Sequence, residues 1–228
     1  MWYPSYKFHD EETTMKIIDS TPETTNQALP YRMYLPTNYE NKEEWPLIVF
    51  LHGSGERGND PNKLDRYGLT SLIKNRTDFP FIVLAPLCPA EKKWEAIYNE
   101  VMSLVDNISQ AHKVNQKQMY LTGMSMGGAG VWHYGVTNPN KFAAYAPIAG
   151  YMHNPDEVIK LKDKPIWAAH GKQDKAIPFK KAEEIINKLT GQSNKVVFKI
   201  YETEGHEVCT NAYKDDDLYK WFLEQIAQ

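Results

Sequence analysis

The 228-residue sequence has little of what marks several special classes of protein. It has only two cysteines and no CxxC pair, which excludes a disulfide-built fold and the common zinc motifs. No apolar run approaches the roughly 18 residues of a membrane span, and the first residues lack the segments of a signal peptide. With 26 basic and 29 acidic residues the net charge is only −3, so neither a nucleic acid nor an anionic membrane surface is expected as a partner.

These absences predict a protein that uses no metal and no cofactor. They also predict a cytoplasmic protein, the alternative being that a leader peptide was removed. Cys88 and Cys209 are expected to be free, buried thiols. The alternative is one disulfide, because residues far apart in the sequence can meet in the fold. Nothing in the sequence indicates an oligomeric state.

The chain length suits one α/β domain over residues 1–228, with residues 1–27 as an N-terminal strand or extension. Apolar runs typical of strands alternate with amphipathic stretches, which predicts a mainly parallel central sheet with helices on both faces. The predicted strands cover residues 29–36, 45–53, 79–86, 118–123, 142–150, 164–171 and 194–202, and the predicted helices cover 93–112, 126–138, 179–190 and 211–227. Functional side chains are expected beyond the carboxyl ends of the strands.

The stretch Gly123-Met124-Ser125-Met126-Gly127 matches G-x-S-x-G between a predicted strand and a predicted helix. Lifting a serine Oγ out of the sheet requires a sharp, strained turn, in which side chains at the two glycine positions would collide with backbone. The following helix offers unpaired N–H groups at its start. We therefore expect Ser125 to be a nucleophile; the alternative is a glycine-rich turn with an incidental serine.

A serine nucleophile needs a base, and the base needs a carboxylate that orients it. His206 lies between the last strand and the last helix, and Asp174 follows the strand before them. The predicted order of nucleophile, acid and base is therefore Ser125, Asp174, His206. His52 and His170 also end strands, and we expect them to organise loops rather than to act as bases.

Two backbone N–H groups must meet the oxyanion that develops during attack on a carbonyl. Met126, the residue after the nucleophile, is predicted to supply one of them. The other is predicted to come from Ser54, in the loop that begins His52-Gly53-Ser54-Gly55, with Gly55 as the alternative. A loop that only turns the chain is the competing interpretation, and a phosphate-binding loop is disfavoured because its lysine pattern is missing.

Together the segments LHGSGERGND, GMSMGG, HGKQDKAIP and EGH resemble the α/β-hydrolase superfamily, from about residue 28 to the end of the chain. Within this superfamily, the sequence most resembles the branch of small carboxylesterases, prolyl-oligopeptidase-like proteins and feruloyl-esterase-like proteins. It implies an α/β-hydrolase fold, with Ser125, Asp174 and His206 as the triad and Ser54 and Met126 as oxyanion donors.

The resemblance also implies where substrate binds. It suggests that Trp94 borders the cleft, although Trp94 equally begins the predicted helix 93–112. Gly55, in the loop after His52, is a further candidate substrate contact. Cap domains of larger relatives interrupt a connection that here holds only residues 151–163, so no cap domain is expected. An open cleft suits an ester whose bulky part remains outside.

The expected function is hydrolysis of a small-molecule or carbohydrate-linked carboxylic ester through an acyl-enzyme on Ser125. A serine peptidase of prolyl-oligopeptidase-like type would use the same residues. The third interpretation, from another class, is a non-catalytic binding protein with a hydrolase fold.

Overall fold

A computed structural model describes residues 14–20, 29–191 and 195–227 of the chain. Eight strands in these residues form one sheet. The strands are β1 Lys16–Ser20, β2 Tyr31–Leu35, β3 Trp45–Leu51, β4 Ile82–Pro86, β5 Val114–Met124, β6 Ala144–Ile148, β7 Ile166–Gly171 and β8 Val196–Tyr201. Their order across the sheet is β1-β2-β4-β3-β5-β6-β7-β8.

The sheet is mainly parallel, as predicted. Only β1 with β2 and β2 with β4 pair antiparallel, whereas every neighbouring pair from β4 to β8 is parallel. Parallel neighbours place their carboxyl ends at one edge of the sheet, so the loops after β3, β5, β7 and β8 meet there.

Helices connect the strands and cover the sheet. The α-helices are α1 Gly68–Ile73, α2 Tyr98–Ala111, α3 Met126–Thr137, α4 Phe179–Thr190, α5 Val208–Asn211 and α6 Asp216–Glu224. The 3-10 helices are Tyr39–Asn41, Ser54–Glu56, Pro61–Asp65, Trp94–Ile97, Pro155–Leu161 and Ala212–Lys214. No helix in the described part of the chain is long and apolar enough to cross a membrane.

The two faces of β3 show how the helices are divided between two cores. Leu47, Val49 and Leu51 pack into the core that holds the apolar residues of α2, α3 and α4. Ile48 and Phe50 point to the opposite face and pack with apolar residues of α1, α5 and α6. Because successive strand residues alternate between faces, a continuous apolar run is what a strand covered on both sides requires.

Two predicted helices are wrong in extent. The helix expected over 93–112 begins as the 3-10 helix Trp94–Ile97, and Ile97, at φ −128° and ψ 25°, separates it from α2. The helix expected over 211–227 is divided, because Asp215 is extended and its side chain accepts from the Asp217 N–H to begin α6 anew.

β1 lies within the predicted N-terminal strand or extension, whereas α1 had no sequence prediction of its own. β1 is largely exposed and carries charged residues, so it shows no apolar run. α1 has only six residues and begins at Gly68 with φ 70°, so its apolar residues are too few to show a helical period. Residues 1–13 and 21–27 of the predicted N-terminal strand or extension lie outside the described residues, as does residue 194 of the last predicted strand.

The connection between β6 and β7 contains the 3-10 helix Pro155–Leu161 and otherwise loop. All of its residues are described, and no cap domain is inserted there, as predicted. The carboxyl edge of the sheet is therefore reached without crossing another domain at this connection.

The turn from β5 to α3 is packed against neighbouring backbone at distances that only glycine allows. A Cβ on Gly127 would lie 1.9 Å from the carbonyl oxygen of Leu51, and a Cβ on Gly123 would lie 2.7 Å from the same oxygen. On the other side of the turn, a Cβ on Gly128 would lie 2.5 Å from the carbonyl oxygen of Ile148. These distances are too short for any side chain, so the turn requires glycine at these positions, as predicted.

Gly127→Ala is expected to destabilise the fold by about 3 kcal/mol or more, because the backbone of β3 cannot move away without disturbing the sheet. Gly191→Ala is the matched control: nothing lies within 4 Å of its Cβ position, and its φ of −68° suits any residue. Its free energy of unfolding is expected to stay within about 1 kcal/mol of the native value. Urea unfolding measures both, and equal effects would contradict the steric explanation.

Candidate active site

Ser125 lies in the turn between β5 and α3, with a backbone conformation that few residues other than glycine adopt. Its φ is 56° and its ψ is −116°. Its N–H donates to the Ile148 carbonyl oxygen at 2.9 Å, and its own carbonyl oxygen accepts from the Ala129 N–H at 3.0 Å. Strain of this kind costs about 1–3 kcal/mol and persists only where the surroundings enforce it. The turn thus fixes the serine at the start of α3.

The structure brings the three residues of the predicted triad together. His206 Nε2 lies 2.9 Å from Ser125 Oγ, and His206 Nδ1 lies 2.7 Å from Asp174 Oδ2. A carboxylate only accepts hydrogen bonds, so the proton of the neutral imidazole belongs on Nδ1. Nε2 then accepts from the serine hydroxyl, which is the orientation that a general base requires.

The carboxyl group of Asp174 is fixed on both oxygens. Oδ1 accepts from the N–H groups of Ala176 and Ile177, at 2.8 and 2.9 Å, while Oδ2 faces His206. The side chain has no exposed surface. Because both backbone donors lie in the loop after β7, the loop itself sets the direction in which the carboxylate meets the imidazole.

His52 organises loops at this edge, as predicted. Its Nε2 accepts from the Cys88 N–H at 3.0 Å, so Nδ1 carries the proton and donates to the Gly53 carbonyl oxygen at 2.6 Å. His170 acts in the same way, with Nε2 2.8 Å from the Ile177 carbonyl oxygen. The first histidine joins the loops after β3 and β4, and the second closes the loop that holds Asp174.

The predicted oxyanion donors, Ser54 and Met126, each begin a helix, where an N–H has no acceptor within the helix. Among the described residues, neither N–H donates to a backbone carbonyl elsewhere. Ser54 lines the same cavity as Ser125. Both groups are therefore free to bind an oxygen, and their role stays a prediction.

A cavity of about 350 Å³ lies over Ser125, and its surface is mostly nonpolar. The residues that line it are Gly53, Ser54, Gly55, Glu56, Tyr67, Met124, Ser125, His206, Glu207, Cys209 and Thr210. Gly55, a predicted substrate contact, belongs to this set, and nothing lies within 4 Å of its Cβ position. The loop after β3 thus leaves open space beside the nucleophile.

The prediction that Trp94 borders the cleft is wrong. Its side chain is fully buried, and its Nε1 donates to the His52 carbonyl oxygen at 2.9 Å. Its ring packs edge-on against the His52 imidazole, with centroids 4.9 Å apart. Gly130 lies against it, since a Cβ there would be 2.8 Å from the Trp94 Cβ. Trp94 therefore supports the loop after β3 from beneath.

The two cysteines are free and buried, as expected. Cys209 Sγ lies 3.8 Å from His206 Nε2, so a thiol stands next to the candidate base. Burial raises the pKa of this thiol to about 12, and the thiol is neutral at pH 7. Because the thiolate is the reactive form of cysteine, Ser125 is the better candidate nucleophile.

Sequence reasoning missed Glu56, Tyr67 and Thr210 as cavity residues. Tyr67 is 57% exposed and precedes α1, a helix that the sequence pattern did not reveal. Thr210 Oγ1 accepts from the Gly68 N–H at 3.0 Å, which connects α5 to α1 across the cavity. Of these three residues, the sequence offered a signal for Thr210 alone. A short helix after His206 would turn every third or fourth side chain towards the cleft.

The dienelactone hydrolase family model matches residues 85–217, more than half of the chain, and the match includes Ser125, Asp174 and His206. The chain belongs to the dienelactone hydrolase family. Membership places the protein among the α/β-hydrolases, as the sequence resemblance predicted, and the observed sheet agrees with that fold.

Relatives of this family member carry esterase or depolymerase names. A bifunctional acetylxylan esterase/xylanase, XynS20E, of Neocallimastix patriciarum is 28% identical over 168 residues, which cover 70% of this chain and 23% of that protein. A poly(3-hydroxyoctanoate) depolymerase of Pseudomonas fluorescens is 23% identical over 190 residues, which cover 72% of this chain and 68% of that protein. This chain thus spans less than a quarter of the first relative.

A solved structure described as a thermostable esterase superposes on this dienelactone hydrolase family member with a TM-score of 0.79 at 26% identity. The superposition covers 95% of this chain and 64% of that chain. It confirms the predicted α/β-hydrolase fold.

The buried His52 predicts a specific pH dependence of stability. Burial lowers its pKa from 6.5 to about 4, so between these values the unfolded chain binds a proton that the folded chain does not. Its contribution to stability is therefore complete above pH 6.5 and is lost as the pH falls towards 4. Such a shift corresponds to about 3 kcal/mol.

Urea unfolding at pH 7 and pH 4.5 measures this effect in the native protein and in His52→Asn. The native protein is expected to lose about 2–3 kcal/mol more than the variant over this interval. An equal loss in the two proteins would assign the acid sensitivity to other groups.

Proposed function

We propose that this member of the dienelactone hydrolase family hydrolyses carboxylic esters through an acyl-enzyme on Ser125. The observation that carries the proposal is the continuous hydrogen-bond chain from Ser125 Oγ through His206 to Asp174, with links of 2.9 and 2.7 Å. The strained turn at the nucleophile and the esterase names among the relatives support it.

In the first half of the proposed reaction, Ser125 Oγ attacks the ester carbonyl carbon while His206 Nε2 takes the hydroxyl proton. The Asp174 carboxylate stabilises the imidazolium that forms. The carbonyl oxygen becomes an oxyanion, and the N–H groups of Ser54 and Met126 donate to it. When the carbon–oxygen bond breaks, His206 gives its proton to the leaving alcohol, and the acyl group remains on Ser125.

In the second half, a water molecule takes the place of the alcohol. His206 Nε2 removes a proton from this water as the water oxygen attacks the acyl carbon. The second oxyanion binds the same two N–H groups. Collapse of the intermediate releases the carboxylic acid, and Ser125 recovers its proton from His206.

The cavity over Ser125 supports a substrate with a modest nonpolar part. Its surface is mostly nonpolar, Gly55 leaves it open at one side, and the exposed ring of Tyr67 stands at its rim. The proposed substrate is a small-molecule or carbohydrate-linked ester whose bulky part stays outside. The carbohydrate-linked class is supported by the acetylxylan esterase name of one relative.

A fluorophosphonate probe is expected to label the native protein at Ser125 and to leave Ser125→Ala unlabelled, because the probe reacts with an activated serine hydroxyl. Peptide mapping by mass spectrometry identifies the labelled residue. His206→Ala is expected to lower kcat by roughly 10⁴- to 10⁶-fold without unfolding the protein, as circular dichroism will show. An unlabelled native protein, or a fully active His206→Ala, would refute the assigned roles.

Short p-nitrophenyl esters such as the acetate and the butyrate are expected to be hydrolysed, whereas peptide p-nitroanilides are expected to remain intact. Amides need stronger protonation of the leaving group, and nothing in the described residues forms an extended peptide-binding domain around the cleft. Release of p-nitrophenol or p-nitroaniline is followed by absorbance. Faster cleavage of the anilides would favour the peptidase alternative.

A further inference from the structure

One buried carboxyl group in the cavity over Ser125 has no part in the proposed reaction. Glu56 is only 2% exposed and ends the 3-10 helix Ser54–Glu56. Its Oε2 has no hydrogen-bond partner among the described residues. A buried polar atom without a partner costs free energy. Because Glu56 lines the cavity, a ligand there that donates a hydrogen bond to its carboxyl would relieve this cost.

Two basic side chains close to Glu56 in the sequence do not pair with its carboxyl. His52 Nδ1 lies 3.9 Å from Glu56 Oε2, but it donates to the Gly53 carbonyl oxygen, and the imidazole is neutral at pH 7 because burial lowers its pKa to about 4. Arg57 Nε donates to the Ser54 carbonyl oxygen at 3.0 Å. In the described part of the chain, no ion pair of a lysine or arginine with Glu56 is formed.

Glu56 lines the cavity together with Ser125, and its free oxygen is buried close to Gly53, another residue of the lining. A Cβ placed on Gly53 would be 3.2 Å from Glu56 Oε2 and 3.6 Å from Met124 Cε, and Met124 directly precedes Ser125. The missing side chain of Gly53 keeps this space open. Glu207, by contrast, is an exposed carboxylate at the rim of the same cavity.

The surroundings of Glu56 favour a neutral partner. Burial raises the pKa of its carboxyl, and the N–H groups of Glu56 and Gly53 and the charge of Arg66 act in the opposite direction. An ammonium group would have to lose its own hydration in a mostly nonpolar cavity. A hydroxyl group has one donor and two lone pairs, so it can pair with the carboxyl in either protonation state at much lower cost.

We propose that Glu56 is a specificity-determining residue that hydrogen-bonds a hydroxyl group on the part of the ester held in the cavity. The inference rests on the proposed hydrolysis at Ser125. The substrate class is then an ester with a short aliphatic chain that bears one hydroxyl group, because the rest of the cavity surface is mostly nonpolar.

Matched pairs of esters test the proposal in the native enzyme. One pair varies the acyl group: p-nitrophenyl butyrate is compared with p-nitrophenyl 3-hydroxybutyrate. The other pair varies the alcohol: propyl acetate is compared with 3-hydroxypropyl acetate, and the release of acetic acid is measured. Only one of the two chains, acyl or alcohol, is expected to occupy the cavity. For the pair that varies this chain, kcat/KM is expected to be about tenfold higher for the hydroxylated ester. Tenfold is the size of one buried hydrogen bond.

Three variants assign the preference to the carboxyl. Glu56→Met removes both oxygens at similar volume, and the ratio of the two kcat/KM values is expected to fall to about one. Glu56→Gln keeps one accepting oxygen and is expected to retain part of the preference. Glu207→Gln changes the exposed carboxylate of the same cavity and is expected to keep the native ratio. Each ratio compares two substrates on one protein, so a general loss of activity cancels.

A ratio near one for both pairs in the native enzyme would overturn the proposal, and so would a native ratio in Glu56→Met. Faster hydrolysis of a 3-aminobutyrate ester than of the 3-hydroxybutyrate ester would also overturn the proposal, because the preferred partner of Glu56 would then be an ammonium group. These outcomes are distinct from failure of the proposed function. If no ester is hydrolysed, ester hydrolysis itself is refuted, whereas equal hydrolysis of each pair refutes only the role of Glu56.

Discussion

The close approach of α3 to the end of β3 is the constraint on which the candidate site depends. Gly127 brings the helix so near to the Leu51 carbonyl oxygen that no Cβ fits between them. This approach forces the sharp turn in which Ser125 has φ 56°, and the same turn places the Met126 N–H at the start of α3. The strain at one residue is thereby balanced by packing along two central strands.

The meeting of Ser125, Asp174 and His206 could be predicted from the sequence, because each follows its own strand and parallel strands bring such positions to one edge. The sequence did not locate Trp94 correctly, since a three- and four-residue spacing describes both a core helix and a short 3-10 turn. Glu56 could not be found either. A glutamate in a glycine-rich loop is expected to be solvated. Its burial depends on the fold, which brings residues distant in the sequence, such as Met124, to the same loop at Gly53.

The loops around the site are held by histidines that take no part in the proposed chemistry. His52 joins the loops after β3 and β4, and His170 closes the loop that carries Asp174. Both are buried and have pKa values lowered by burial, so they act as neutral hydrogen-bonding groups. A substrate would thus meet donors whose positions are already fixed, and little conformational entropy remains to be lost on binding.

The candidate nucleophile Ser125 and the candidate base His206 are not held equally well. Ser125 follows β5, which has neighbours on both sides. His206 follows β8, which is partly buried and, among the described strands, pairs with β7 alone. Fraying is easiest at a sheet edge, since fewer hydrogen bonds and apolar contacts must be lost. Warming would therefore separate the imidazole from the serine before the central strands open. The proposed hydrolysis would then stop while the spectroscopic signal still reported a folded sheet, and cooling would restore it.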